Sequence, residues 1–318
     1  GSRMVPFFLE KGYNITVYDT LYFTKNFLPL DHKNLNVITG DIRDDQKILD
    51  CSINHDIFIN LACISNDTSF ALDEKLSTSI NLECFEPMVL AAKKAGIKRF
   101  ITASTSSVYG VSDKKDVKED HPLVPLTLYN KYKGLTEPLL IKHLDDDFTG
   151  VVFRPATVCG FSPRQRLDLT VNILTNHAYH NNKIIVYGGN QLRPNLHIQD
   201  YIEVVDLFIN SPAQKINKQV FNVGYQNLTV LEIANKVKKI IEEKNKTNVQ
   251  IEITESDDNR SYHINSDKIF DHLGYKPKRT VEDAILELID AFDNNKLANT
   301  FDDNIYYNVK RLQEISAK

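Results

Sequence analysis

Cysteine is scarce in this chain of 318 residues: Cys51, Cys63, Cys84 and Cys159 lie far apart and form no CxxC pair. That spacing argues against a disulfide framework and predicts reduced thiols. No run reaches the roughly 20 apolar residues that span a bilayer, and no secretory signal is visible. Long basic runs are missing, and a net charge of -4 argues against a general nucleic-acid binder. There is no internal repeat and no low-complexity linker. The two histidines of "HAYH", His177 and His180, have no cysteine or carboxylate cluster at ligand spacing, so no metal site is expected. The "DDD" run at 145–147 reads as a solvated helix cap. These absences predict a soluble, cytoplasmic protein without nucleic-acid or membrane partners. What is present is ordinary globular composition, 42% hydrophobic and 25% charged, in a chain long enough for one large core or two smaller ones.

Short β-branched runs recur at 13–18, 35–38, 56–62, 98–104 and 149–155. Longer stretches with helical spacing lie between them, among them 73–96 and 129–144. Apolar runs of four to six residues without alternation suit strands covered on both faces. Strand, helix and strand in repeated order predict a parallel sheet with right-handed crossovers. After residue 155 the pattern loosens. The expected fold is therefore α/β, with a smaller and more mixed second part.

Chemistry enters at "YNKYK", which sets Tyr129 and Lys133 four residues apart on one helical face. The same spacing occurs at Tyr179/Lys183 and Tyr306/Lys310, so the spacing alone decides nothing. Context separates the three. Only Tyr129 has a hydroxyl residue 24 positions upstream, Thr105, just past the strand predicted at 98–104.

Taken in order, "STSSVYG", "YNKYK", "FRPATVCG" and "LRPNLHIQDY" resemble the extended short-chain dehydrogenase/reductase family, of the NAD-dependent epimerase/dehydratase type. That family includes nucleotide-sugar epimerases, dehydratases and decarboxylases. The resemblance covers nearly the whole chain. It implies a Rossmann-type, doubly wound parallel sheet over 1–155 that binds NAD. It also implies a mixed α/β part over 156–318 that binds a nucleoside diphosphate sugar, with some segments returning to the sheet. Two helices, around 73–96 and 129–146, would form a four-helix homodimer interface. The physics of the residues agrees with the implied roles. An ammonium such as Lys133 favours the phenolate of Tyr129, which can then exchange a proton with a sugar hydroxyl. Thr105 would hydrogen-bond the same oxygen and hold the reacting carbon in place. In the dehydratase branch an Asp-Glu pair follows this threonine and eliminates water. Here those positions are Ser106 and Ser107, which disfavours elimination and leaves epimerisation, 4-keto reduction and decarboxylation open.

On the cofactor side, Asp19 ends a predicted strand, where a carboxylate accepts hydrogen bonds from ribose hydroxyls and repels a 2′-phosphate; NAD is favoured over NADP. It stands 18 residues after Gly1, close to the separation of about 20 expected in a dinucleotide-binding fingerprint. Gly1 thus reads as the third glycine of a GxxGxxG loop, whose first strand and two earlier glycines lie outside the given sequence; a cloning remnant would sit at this distance only by coincidence. The family pattern further implies Asp41 and Ile42 at the adenine. It implies Leu61, Ala62 and Cys63 along the pyrophosphate and ribose, and Pro155 beneath the nicotinamide. Tyr129 and Lys133 also face the cofactor, and Asn81 is structural.

For the substrate, Arg193 and Arg260 match positions that clamp a diphosphate, the chemistry that arginine forks suit. Arg164 and Arg166 are candidates for sugar or nucleotide contacts, or are solvated. Asn172 falls in a helix that could face the nucleotide. Ser65, Asn66 and Asp67 either read sugar hydroxyls or form an ordinary loop. The expected activity is an NAD-dependent nucleotide-sugar epimerase, with a 4-keto-sugar reductase or decarboxylase as alternatives. A non-catalytic NAD-binding sensor or scaffold is the alternative of another class, against which intact Thr105, Tyr129 and Lys133 argue.

Overall fold

The computed structural model describes residues 1–112, 114, 116–255 and 261–316. Its strands, in chain order, are β1 (Ile15–Asp19), β2 (Leu35–Thr39), β3 (Ile57–Asn60), β4 (Arg99–Ala103), β5 (Thr149–Pro155), β6 (Thr157–Cys159), β7 (Lys183–Tyr187), β8 (Leu192–His197), β9 (Gln219–Val223), β10 (Gln226–Thr229) and β11 (Gln250–Thr254). The five β-branched runs read from sequence are β1 to β5. Strands β3-β4-β5-β9 form one parallel ladder, with Ile101 opposite Val151 and Val151 opposite Gln219. Strands β1 and β2 pair in parallel with each other, Ile15 opposite Leu35, as a separate two-stranded ladder.

Side chains that alternate along β4 and β5 feed two cores, as strand geometry requires. On one face Ile101, Val151 and Phe153 pack with Met4 and Phe8 of α1 (Met4–Glu10) and with Phe208. On the other, Phe100 and Val152 pack with Ile48 of α2 (Asp45–Ser52) and with Phe85, Met88 and Leu140. The two ladders share these cores: Ile15 joins the first beside Ile57 and Ile59, and Tyr18 joins the second beside Phe58.

The stretch 73–96 is not one uniform helix. After the short α3 (Asp67–Phe70) it runs as α4 (Glu74–Thr78), a π-helical turn over Ser79–Glu83, and α5 (Phe85–Lys94). The π turn contains Asn81, whose buried amide donates to the Ile64 carbonyl at 2.9 Å and accepts from its N–H at 2.8 Å. Such turns are frequent at functional sites; here Asn81 fixes the loop that leaves β3. Helix α6 (Leu128–Ile141) starts at a Thr127 cap, whose hydroxyl oxygen accepts from the Asn130 N–H.

The remaining helices are α7 (Thr170–Asn181), α8 (Ile198–Asn210), α9 (Ala213–Ile216), α10 (Val230–Asn245), α11 (Asp267–Leu273), α12 (Val281–Asp293) and α13 (Asn308–Ser316). Strands β10-β8-β6 form a mixed sheet and β7–β11 a parallel pair. Helices α7, α10 and α12 supply Leu174, Val237 and Ile285 to a separate core there. Capping boxes at Thr229/Glu232 and Thr280/Asp283 start α10 and α12. The fold is α/β, with helices on both faces of a parallel Rossmann-type arrangement and a mixed second part.

Candidate active site

A cleft of about 730 Å³ opens at the C-terminal ends of the parallel strands, lined there by Asp19, Leu61, Thr105 and Pro155. Ligands of open α/β sheets bind at this edge. Its opposite wall comes from residues 156–172, Arg193, Tyr201 and Tyr262.

Thr105, Tyr129 and Lys133 meet in this cleft. The end of β4 places Thr105, whose extended backbone opens a 3-10 turn and whose oxygen accepts from the Ser107 N–H at 3.2 Å. Helix α6 presents Tyr129 and, one turn on, the buried Lys133. The Lys133 ammonium donates to the Ala103 carbonyl. Burial pushes the Tyr129 phenol well above its ordinary value. The Cys63 thiol and Asp67 add to the rise, whereas Arg166 and the Asn66 backbone N–H oppose it. In the protein alone desolvation dominates and the lysine is turned to β4; the expected favouring of the phenolate belongs to the state with the positive nicotinamide beside Tyr129. Asn66 itself has φ 72° and ψ 161°, a strained conformation for a non-glycine residue.

On the cofactor side, Gly1, Asp19, Leu61, Cys63 and Pro155 all line the cleft, with Asp19 exposed and accepting from the Leu21 N–H at 2.7 Å. Asp41, Ile42 and Ala62 do not line it. Arg43 claims the Asp41 carboxylate at 2.6 Å and 3.0 Å, and its hydrogen bonds hold that carboxyl below the usual range. The turn is set by Gly40, where a Cβ would fall inside the Tyr18 ring. Ile42 packs into the core, and the Ala62 N–H donates to Asn60. Arg164, a sequence candidate for sugar or nucleotide contacts, is largely buried rather than solvated. Arg164 stacks on Phe23 at 3.9 Å, its Nε is buried without a hydrogen-bond partner, and burial lowers its pKa to about 10. It stands in the same cleft as Gly1 and Asp19. A buried guanidinium Nε without a partner, in a cleft that Asp19 also lines, fits the diphosphate and hydroxyls of NAD.

On the substrate side, Ser65, Asn66, Asp67, Asn172 and Arg193 line the cleft, while Arg260 lies outside the described residues. Several are occupied by the fold. The Ser65 oxygen accepts from Asn308 at 2.8 Å, and the Asn66 side chain accepts from the Ser69 N–H. Asp67 accepts from the Thr127 hydroxyl. Asn172 bonds the Gly160 N–H and the Arg166 carbonyl, so it shapes the 160–166 loop rather than facing a nucleotide freely. Arg166 is paired to Asp168. Tyr262, also missed from sequence, stands against Ser107 with hydroxyls 2.9 Å apart; its place two residues beyond Arg260 in "RSYHIN" was the available signal. His177 and His180 make aromatic contacts with Phe301 and Phe292. Among the described residues no helix is long and apolar enough to cross a membrane.

A strand-end threonine, a Tyr-x-x-x-Lys helix and an acidic β1 terminus around one cleft define a nicotinamide-dependent enzyme of the α/β class. The family model described as "NAD dependent epimerase/dehydratase family" matches residues 1–224, and the chain belongs to that family. It is 27% identical over 319 residues to the UDP-glucose 4-epimerase of Lactobacillus helveticus, covering 90% of this chain and 91% of that one. It is 25% identical over 301 residues to the dTDP-glucose 4,6-dehydratase of Streptomyces niveus, covering 90% and 86%. In fold it is similar to UDP-glucuronic acid 4-epimerase from Bacillus cereus, solved with UDP-glucuronic acid and NAD. That likeness has a TM-score of 0.80 and 23% identity over 93% of this chain and 96% of that one.

Proposed function

We propose that this chain epimerises a nucleoside diphosphate sugar. The observation that carries the choice of epimerase is the wall beside Thr105. Ser106, Ser107 and Tyr262 form a cluster of hydroxyls there, at the positions where the dehydratase branch has its Asp-Glu pair. Carboxylates that do line the cleft are engaged: Asp19 by the Leu21 N–H, Asp67 by Thr127 and Asp168 by Arg166. Among the described residues no acid-base carboxylate pair stands beside the threonine to eliminate water.

When bound, NAD supplies the acceptor and later the donor of hydride. Gly1, Asp19, Arg164 and Pro155 would hold it. The protein's own part is proton handling and orientation. Tyr129 takes the proton of the sugar hydroxyl and gives it back, and Thr105 holds that oxygen. Arg193 and Arg260 grip the diphosphate, with Ser65, Asn66 and Asp67 near the sugar. Residues 1–155 act as the NAD-binding domain and 156–318 mainly as the substrate domain. Leu90 on α5 and Leu135 on α6, exposed at 45% and 43%, support a homodimer through these helices, and the four free cysteines suit a cytoplasmic setting.

The test is incubation with UDP-, dTDP-, GDP- and CDP-sugars, read by mass and NMR. Inversion of one ring centre at unchanged mass is expected. Loss of water, loss of carbon dioxide or consumption of reduced cofactor would replace the epimerase reading by dehydratase, decarboxylase or reductase.

A further inference from the structure

Behind the catalytic wall lies a buried ion pair that the proposed chemistry does not use. Arg154 on β5 and Glu137 on α6 each expose only 5% of their side chains. The guanidinium meets the carboxylate with both prongs, Nε to Oε1 at 2.9 Å and Nη2 to Oε2 at 2.6 Å. Three further bonds extend it. The Ser104 hydroxyl donates to Glu137 Oε1 at 2.6 Å. Arg154 Nη1 donates to the Tyr109 hydroxyl at 2.6 Å and to the Glu119 carbonyl at 3.0 Å. Tyr109 in turn donates to Asn222 on β9 at 2.7 Å.

A buried pair of this kind is weak evidence for stability, because well-packed apolar residues often serve as well or better. Its location suggests another role. Ser104 immediately precedes Thr105, and Ala103, one residue earlier, accepts from Lys133. Glu137 lies one helical turn beyond Lys133, and Tyr129 one turn before it. Two side chains of α6 therefore grip the last residues of β4. Arg154 holds one of those grips from β5 and, through Tyr109, steadies the far end of the 3-10 turn that Thr105 opens. Any slip of β4 against α6 would move the Thr105 hydroxyl relative to Tyr129, and errors of about 1 Å in such geometry cost about 10²-fold in rate.

We propose that Glu137 and Arg154 are positioning residues, which set the separation of Thr105 from Tyr129 by fixing the end of β4 to α6 through Ser104. This rests on the reading of the cleft as a sugar-nucleotide active site.

Two variants test it. Ser104→Ala removes only the hydroxyl that Glu137 holds. The double variant Glu137→Leu with Arg154→Met replaces the pair by apolar side chains and leaves no charge unpaired. In each, kcat should fall about 10- to 100-fold while KM for the sugar nucleotide stays within about threefold, the pattern of an interaction used in the transition state. The melting temperature should stay within about 4 °C of the parent. Amide exchange over residues 104–109 should quicken about tenfold without any substrate or cofactor present. A folded variant with parental kcat and parental exchange would overturn the proposal. If the double variant does not fold, Ser104→Ala decides by the same readouts. If the parent turns over no sugar nucleotide, the functional reading fails instead, and the exchange measurement still decides the positioning role.

Discussion

Strands β4 and β5 and strands β1 and β2 belong to one parallel arrangement, yet they are held in different ways. Past Arg99 every residue of β4 is buried, as are the first six of β5. Every residue of β1 is partly or fully exposed, and β2 is similarly open. The inner strands have ladder partners on both sides; among the described residues β1 and β2 pair only with each other. Catalytic side chains thus stand on the sealed half, and the carboxylate expected at the cofactor ribose stands on the open half. Chemistry needs fixed geometry, which burial on both faces provides.

The sharpest test of the sealed half is Tyr129→Phe, which removes one hydroxyl and leaves the packing of α6. Turnover should drop about 10²–10⁴-fold, the range for a lost acid-base group, with sugar-nucleotide binding unchanged in calorimetry. Near-parental turnover would remove Tyr129 from the chemistry.

The comparison itself can be measured by hydrogen exchange. Amides of β4 and β5 should exchange about 100-fold more slowly than those of β1 and β2, because local opening of a half-buried two-stranded ladder costs less than opening the core. Added NAD should slow β1 and β2 more than β4 and β5. Equal protection in the absence of ligand would mean that the two ladders open as one unit.

Asp19→Ala addresses the open half alone. Removing a charged acceptor of ribose hydroxyls should weaken NAD about tenfold or somewhat more. Discrimination against NADP should narrow, because the charge that repels a 2′-phosphate is gone. The apo melting temperature should barely move, as Asp19 is exposed. Titration with both dinucleotides checks each point; unchanged affinity for both would show that Asp19 does not meet the ribose.

What was legible in the sequence divides along similar lines. Local signals placed β1 to β5 and set Tyr129 and Lys133 on one helical face, because strand runs and helical spacing are short-range properties; Thr105 joined them through the order of motifs that carries the family resemblance. The π turn at Ser79–Glu83 escaped, since one extra residue in a helix leaves the apolar spacing nearly intact. The partner of Asp41 was not foreseen although it is local: Arg43, two residues on, forks onto its carboxylate. The Glu137–Arg154 pair and the contact of Tyr262 with Ser107 join residues 17 and 155 apart in sequence. Nothing in the spacing of either pair announces it, because such contacts exist only once the sheet has formed.

The smallest expected effect concerns what ties the open half to the rest. Helix α1 is preceded by Arg3, whose guanidinium meets Glu287 of α12 at 2.9 Å and 3.2 Å. The same carboxylate accepts from the Phe161 N–H at 3.2 Å and faces the fully buried His197 ring at 3.3 Å. Burial alone would raise the Glu287 carboxyl, but His197 and Arg3 outweigh it and hold the group down at about 2. A carboxyl lowered on folding adds stability above its unfolded value of about 4.3, and that stability is lost as pH falls toward the folded value. The group is about one-third exposed, so solvent screening reduces the contribution to about 1–2 kcal/mol. Glu287→Gln should therefore cost about that much at pH 7, and the difference from the parent should shrink as pH falls from about 5 toward 2. Denaturant titrations across that range check it. Because α1 packs against the sheet through Met4 and Phe8, the substitution should also speed exchange in α1 and β1 while leaving β4 and β5 protected. A cost that stays constant with pH, or faster exchange in β4, would show that Glu287 supports the whole core rather than the joint between its two halves.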